Sequence, residues 1–154
     1  MSELTVILPD GSRRALEQGS KVADLASSIS RNLAKAAVAA KVNDRLVDLS
    51  TELSDGDSVS IITSDSDDGR HVLRHSTAHV LAQAVLQVFP GSKYTIGPAI
   101  ENGFYYDFDL GGRVFSEDDL AVVESRMREI IKSDQPFVRS SVTADEALEV
   151  FADQ

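Results

Sequence analysis

The chain holds 154 residues, 42% of them hydrophobic and 26% charged, which is enough apolar content for one ordinary domain or two small ones and excludes wholesale disorder. Its formal net charge is −10, with seven basic and nine acidic residues up to Thr63 and eight and sixteen from Ser64 on; nucleic acid cannot be gripped through the overall field, and any RNA contact must be local. With no cysteine there is no disulfide and no thiolate nucleophile or ligand, so a reducing cytoplasm is the expected location.

The N-terminus carries an acid at Glu3 and a β-like alternation, unlike a signal peptide. Leu4 to Leu8 is aliphatic and β-branched and reads as a strand; Pro9-Asp10-Gly11 turns the chain, and a short partner strand over Arg13 to Leu16 completes a hairpin. Ser20 is placed to N-cap a helix running to Ile29, with Val22, Leu25, Ala26 and Ile29 at helical spacing. Ala37 to Val42 and Arg45 to Leu49 read as strands around a turn at Asn43-Asp44, and Asp55-Gly56-Asp57 turns into a final strand, Val59 to Thr63. Five strands and one helix in about 60 residues suggest a small mixed sheet packed on a helix.

The run SDSDDG at 64–69 contains no apolar residue and reads as a linker. A long helix is expected from Arg70 to Phe89, ended by Pro90-Gly91. Its apolar-rich part, Val80 to Phe89, is about half what a bilayer needs and includes Gln83 and Gln87, so no membrane partner is expected. Two strands follow, Tyr94 to Ile100 and Phe104 to Leu110, joined through Glu101-Asn102-Gly103, in which Asn-Gly is the hairpin signal. Ser116 and Asp119 resemble a capping box opening a helix to Lys132, with Leu120, Val123, Met127, Ile130 and Ile131 on one side. A further strand is expected over Phe137 to Val142, and Thr143 caps a last helix, Ala144 to Phe151, with nothing after it to pack on.

The three histidines, His71, His75 and His79, recur every fourth residue of the long helix and so form one stripe. Neighbours at that spacing lie about 5–6 Å apart at Cβ, close enough to share a metal ion, clamp a polar group or relay a proton. Ala82, Leu86 and Phe89 border the stripe, so His75 and His79 should be partly sheltered, whereas Ser76, Gln83 and Gln87 mark the polar sector. Two histidines are an incomplete zinc site and no cysteine exists to complete it, so no metal is expected here. The second notable segment runs from Tyr94 to Asp107 and holds all three tyrosines, with Gly97 and Gly103 allowing close backbone approach. That composition fits a twisted hairpin with aromatic pairs, and equally a surface that stacks on a nucleotide end. No phosphate-binding loop, dinucleotide fingerprint, HExxH or GxSxG motif is present, so these residues are not expected to activate ATP.

The first module, with ILPDG at 7–11, VADLA at 22–26, AAVAAKVN at 36–43 and DGDSVSIIT at 55–63, resembles a TGS domain. The second part, with RHSTAHVLAQA at 74–84 and IGPAIENGFYYD at 96–107, resembles the start of the editing domain of bacterial-type threonyl-tRNA synthetases. The resemblance implies an α+β chain: a ubiquitin-like β-grasp TGS domain over 1–63, a linker at 64–70, and an incomplete editing domain over 71–154. In that family the editing domain removes serine wrongly attached to threonine tRNA. The resemblance carries His75, His79 and Tyr106 into its cleft as catalytic residues, with Gly97, Pro98, Asn102, Gly103 and Phe104 as substrate-binding residues. His71 lies outside the family pattern.

The family cleft also needs a CxxxH motif, which this sequence lacks. The resemblance therefore implies a parent ligase that uses ATP, Mg2+ and Zn2+ in a catalytic domain outside this chain and dimerises there. Its partner is threonine tRNA; the 154-residue chain itself is expected to be monomeric, inactive and free of cofactors. A free-standing tRNA-binding or trans-editing deacylase module is the alternative.

Overall fold

The computed structural model describes residues 3–136, 138 and 140–152. It falls into two compact units, residues 1–73 and 74–154.

In the first unit, β1 (Glu3–Ile7) and β2 (Arg13–Glu17) form an antiparallel hairpin with Leu4 opposite Leu16 and Ile7 opposite Arg13. Helices α1 (Val22–Ile29) and α2 (Arg31–Ala36) follow, and then β3 (Ala37–Val42), β4 (Arg45–Val47) and β5 (Val59–Thr63) in the order β4-β3-β5. A single parallel bridge, Ile7 to Ser58, links the hairpin to this sheet. The period of two along β1 turns Leu4 and Val6 inward, and helical spacing on α1 turns Val22, Leu25 and Ala26 toward them; Ala40, Leu53 and Val59 close the core. The turn at 55–57 ties these pieces together. Asp55 accepts a hydrogen bond from the Thr5 amide (2.7 Å), the Ile7 amide donates to the Asp57 carbonyl (2.8 Å), and Asn43 bonds both Asp57 and the Ser58 amide.

Three local expectations change. Lys21, not Ser20, is the N-cap of α1, because the Asp24 carboxylate accepts from the Lys21 amide (2.8 Å). Helix α2 was not anticipated: it is capped by Ser30, whose hydroxyl accepts from the Leu33 amide (3.0 Å), but it buries no residue and so shows no apolar periodicity. Strand β4 ends at Val47, two residues short of Leu49. The turn before it behaves as read: Asn43 and Asp44 have φ of 50° and 62°, the left-handed pair that a two-residue hairpin demands.

Helix α3 covers Asp67–Val88, starting three residues ahead of the expected Arg70. The Ser66 hydroxyl caps it by accepting from the Gly69 amide (3.0 Å), and Asp67 and Asp68 place acids in the first turn, where the helix dipole favours them. A side chain on Gly69 would meet the Thr63 carbonyl oxygen at 1.9 Å, so only glycine fits between β5 and the new helix.

The second unit packs the rest of α3 against a hairpin and α4 (Glu117–Lys132), around Ala84, Val85, Val123 and Ile130 with Phe89, Phe108, Phe115 and Met127. The long strands expected over 94–100 and 104–110 are broken into two short ladders. Strand β6 (Lys93–Tyr94) pairs with β9 (Phe108–Asp109), and β7 (Ala99–Ile100) with β8 (Gly103–Phe104). The Thr95 amide still donates to the Asp107 carbonyl (3.1 Å), but beyond it three residues, 96–98, face two, 105–106, before Ala99 pairs with Phe104. This is a one-residue bulge, and Pro98, which has no amide hydrogen, lies within it. At the hairpin tip Glu101 and Asn102 are the turn residues, as expected, while Gly103, expected in the turn, pairs with Ile100.

Helix α4 has the capping box as read, Ser116 and Asp119 bonding each other's amides at 2.9 and 3.2 Å. On its face Val123, Met127 and Ile130 pack inward, but Leu120 and Ile131 are exposed. No strand forms over the described residues of 137–142; residues 137 and 139 lie outside the described set. Helix α5 (Ala144–Val150) is capped by Thr143 and Glu146 and buries no residue.

Because Leu25 is wholly enclosed, Leu25→Ala should destabilise the first unit by about 3 kcal/mol. Urea unfolding followed by amide signals of residues 4–63 would register it; a cost below about 1 kcal/mol would mean that the core is not organised around α1.

Candidate functional site

On α3 the stripe continues past the histidines. His75, His79, Gln83 and Gln87 succeed one another at intervals of four, and His79, Gln83 and Gln87 line an open cleft of about 580 Å³ together with Ala82, Leu86, Tyr94 and Tyr106. The helix supplies one wall and the hairpin the other. Gln83 and Gln87 therefore share the histidine face, where the sequence reading had set them apart. The series of four that singled out the histidines was the signal that could have found them.

His75 stands beside this cleft rather than in its lining. Its Nε2 lies 3.1 Å from His79 Nε2, with the rings edge to face at 86° and centroids 4.6 Å apart. A bond between two ring nitrogens needs a proton on one and a lone pair on the other, so the bonded pair carries at most one positive charge. Partial burial, and then the charge of His75, lower the pKa of His79 below its ordinary value of 6.5. Both rings keep substantial solvent exposure, more than the expected shelter. No group of three or more histidine, cysteine or acidic side chains is placed to hold a metal ion among the described residues, and two histidines by themselves fall short of the three or four ligands that zinc takes.

Tyr106 is held on three sides. Its ring stacks on Phe108 (centroids 5.0 Å, 15° between planes), tilts against Tyr94 at 6.0 Å, and lies over Gly97, where an added side-chain carbon would stand 2.0 Å from the ring. Burial raises the phenol pKa above its usual 10, and Tyr94 adds to the shift, so the hydroxyl stays protonated through the physiological range. The cleft amides are tethered from behind: Gln83 donates to Gln135 (2.9 Å), and Arg126 donates to the Gln87 carbonyl oxygen (2.6 Å).

Of the residues expected to act, His79 and Tyr106 both line the cleft, His75 joins through His79, and Gly97 joins through Tyr106. Pro98, Gly103 and Phe104 are half-buried in the hairpin and Asn102 is exposed at its tip; none of the four lines the cleft. His71 is exposed and belongs to the first unit.

Residues 4–63 match the TGS domain family. Over 152 residues, 99% of its length, the chain is 50% identical to the threonine–tRNA ligase of Pelobacter propionicus. It is also 50% identical over 151 residues, 98% of its length, to that of Citrifermentans bemidjiense, and 46% over 149 residues, 97%, to that of Rubrobacter xylanophilus. The chain carries a TGS domain and matches the N-terminal part of bacterial threonine–tRNA ligases. It spans about a quarter of the length of these curated relatives, 24%, 24% and 23% respectively. The TGS match brings with it the ubiquitin-like β-grasp fold, and the first unit's hairpin, helix and three-stranded sheet have that form. The cleft lies beyond residue 63, in the part of the ligase-like sequence that follows the TGS domain.

The lowered pKa of His79 has a thermodynamic consequence. Unfolding frees the imidazole to take up a proton, so stability is full above about pH 6.5 and falls as pH drops through the lower folded-state value. Denaturant unfolding between about pH 8 and pH 5 should show a steeper loss for the native chain than for His79→Gln; parallel curves would mean that His79 titrates as it does in the unfolded chain.

Proposed function

We propose that the chain is the N-terminal region of a threonine–tRNA ligase, the enzyme class that joins threonine to its tRNA with ATP, and that its cleft belongs to the domain that removes misattached serine. Residues 1–63 are the TGS domain, 64–70 the connecting segment and 71–154 the first part of the tRNA-editing domain. The observation that carries this reading is the near-complete alignment of the chain, at about half identity, with threonine–tRNA ligases, together with a cleft that joins His79 to Tyr106.

The chemistry needed is hydrolysis of an ester between serine and the terminal ribose. Serine and threonine differ by one methyl group, worth about 1–3 kcal/mol in a binding pocket, so a second, hydrolytic site supplies the missing discrimination. His79, held neutral, is suited to take a proton from an attacking water or from a ribose hydroxyl, and His75 is suited to pass it on through their shared bond. The Tyr106 phenol, protonated and facing the same cleft, offers a donor to the substrate, and the faces of Tyr94 and Tyr106 suit the terminal base. Gly97, Pro98, Asn102, Gly103 and Phe104 shape the hairpin that carries these rings. With a net charge of −10, the chain relies on the rest of the ligase to hold the tRNA phosphates. ATP, Mg2+ and Zn2+ belong to the catalytic domain of that enzyme, as does its dimer contact, and the setting is the cytoplasm.

In the full ligase, His79→Ala should slow serine release from mischarged threonine tRNA by on the order of 10²-fold and leave threonylation unchanged. Single-turnover deacylation measures the first and aminoacylation the second; undiminished release would remove His79 from the chemistry. The 154-residue chain alone should release no serine above background, and robust release would show that the cleft needs nothing beyond these residues.

A further inference from the structure

The bulge in the second-unit hairpin gives Gly97 a task that no sequence motif states. Its backbone is not in the left-handed region, so any residue could adopt its conformation. What forbids a side chain is space: a carbon placed on Gly97 would stand 2.0 and 2.1 Å from two carbons of the Tyr106 ring, and all three of the nearest atoms belong to that ring. The ring cannot give way easily, because Phe108 stacks on it at 5.0 Å and Tyr94 stands 6.0 Å off. Bulges add twist and re-aim side chains, and this one sets three residues opposite Tyr105 and Tyr106 where a regular ladder would set two.

We propose that Gly97 is a positioning residue: by lacking a side chain it seats the Tyr106 ring as the wall of the cleft opposite His79, without touching the substrate itself. The assignment of a task in deacylation rests on the function proposed above, whereas the seating of the ring does not. Ring and helix together set the width of the cleft, so a methyl group at position 97 must push Tyr106 into the cleft or out toward solvent. Either movement misplaces whatever lies between Tyr106 and His79, and a displacement of about 1 Å in a reacting group can cost on the order of 10²-fold in rate.

The test pairs Gly97→Ala with Tyr106→Ala. In the 154-residue chain with 13C-labelled tyrosine, Gly97→Ala should shift the Tyr106 ring signals and bring its phenol titration back toward 10, as shelter is lost, while Tyr105 stays unchanged. An unmoved Tyr106 would overturn the proposal. Should Gly97→Ala unfold the second unit, adding Tyr106→Ala removes the clash and should restore folding to the level of Tyr106→Ala alone; a double variant worse than that would also overturn it. In the full ligase, Gly97→Ala should lower kcat for serine release on the order of 10²-fold with KM little changed and threonylation intact, and in the Tyr106→Ala background it should add nothing. A shifted Tyr106 with undiminished release, alongside His79→Ala that is equally undiminished, would leave the seating in place and overturn the proofreading function instead.

Discussion

Helix α3 has to be two things at once over its second half. One arc of its circumference, through Ala78, Ala82, Ala84 and Val85, is buried in the unit's interior; the adjoining arc, through His79, Gln83 and Gln87, must stay open enough to form a cleft. Small residues reconcile the two. Three of the four buried positions are alanine, which lets the helix approach its neighbours closely without a bulky side chain spilling into the cleft. The aromatic cluster of Phe89, Phe108 and Phe115 packs against Ala84 and Val85, and Phe108 stacks on Tyr106 in the hairpin whose Tyr94 and Tyr106 line the cleft with His79. The chemistry of the cleft thus depends on how tightly an otherwise ordinary helix can be packed.

Much of this was legible. The strands, turns and first helix of the first unit follow from alternation, left-handed turn residues and helical spacing, because each is decided by neighbours close in sequence. The departures have physical causes that lie further off. Ser66, Asp67 and Asp68 are as good at opening a helix as at making a linker, and only the cap bond to Gly69 decides between them. Helix α2 buries nothing, so it leaves no periodic trace. The bulge at 96–98 depends on pairing across the hairpin, which single residues do not announce.

The site was readable in part. His75 and His79 stood out because spacing places them on one stripe, but the cleft continues along that stripe to two glutamines that a hydropathy view assigned to solvent. Gly97 was expected to touch substrate because glycine allows close approach; the close approach found is to Tyr106. Reading a glycine as room for a ligand and finding it to be room for a neighbouring ring is a difference that only coordinates reveal.

The two tethered glutamines give the cleft a sense of direction. Arg126 takes up one lone pair of the Gln87 carbonyl oxygen, leaving that side chain two N–H groups and one lone pair; Gln135 takes up one N–H of Gln83, leaving it one N–H and both lone pairs of its carbonyl oxygen. One helical turn apart, the pair presents an end richer in donors and an end richer in acceptors. A molecule lying along the helix meets a graded polarity, so one of its two orientations uses more of the donors and acceptors on offer than the other.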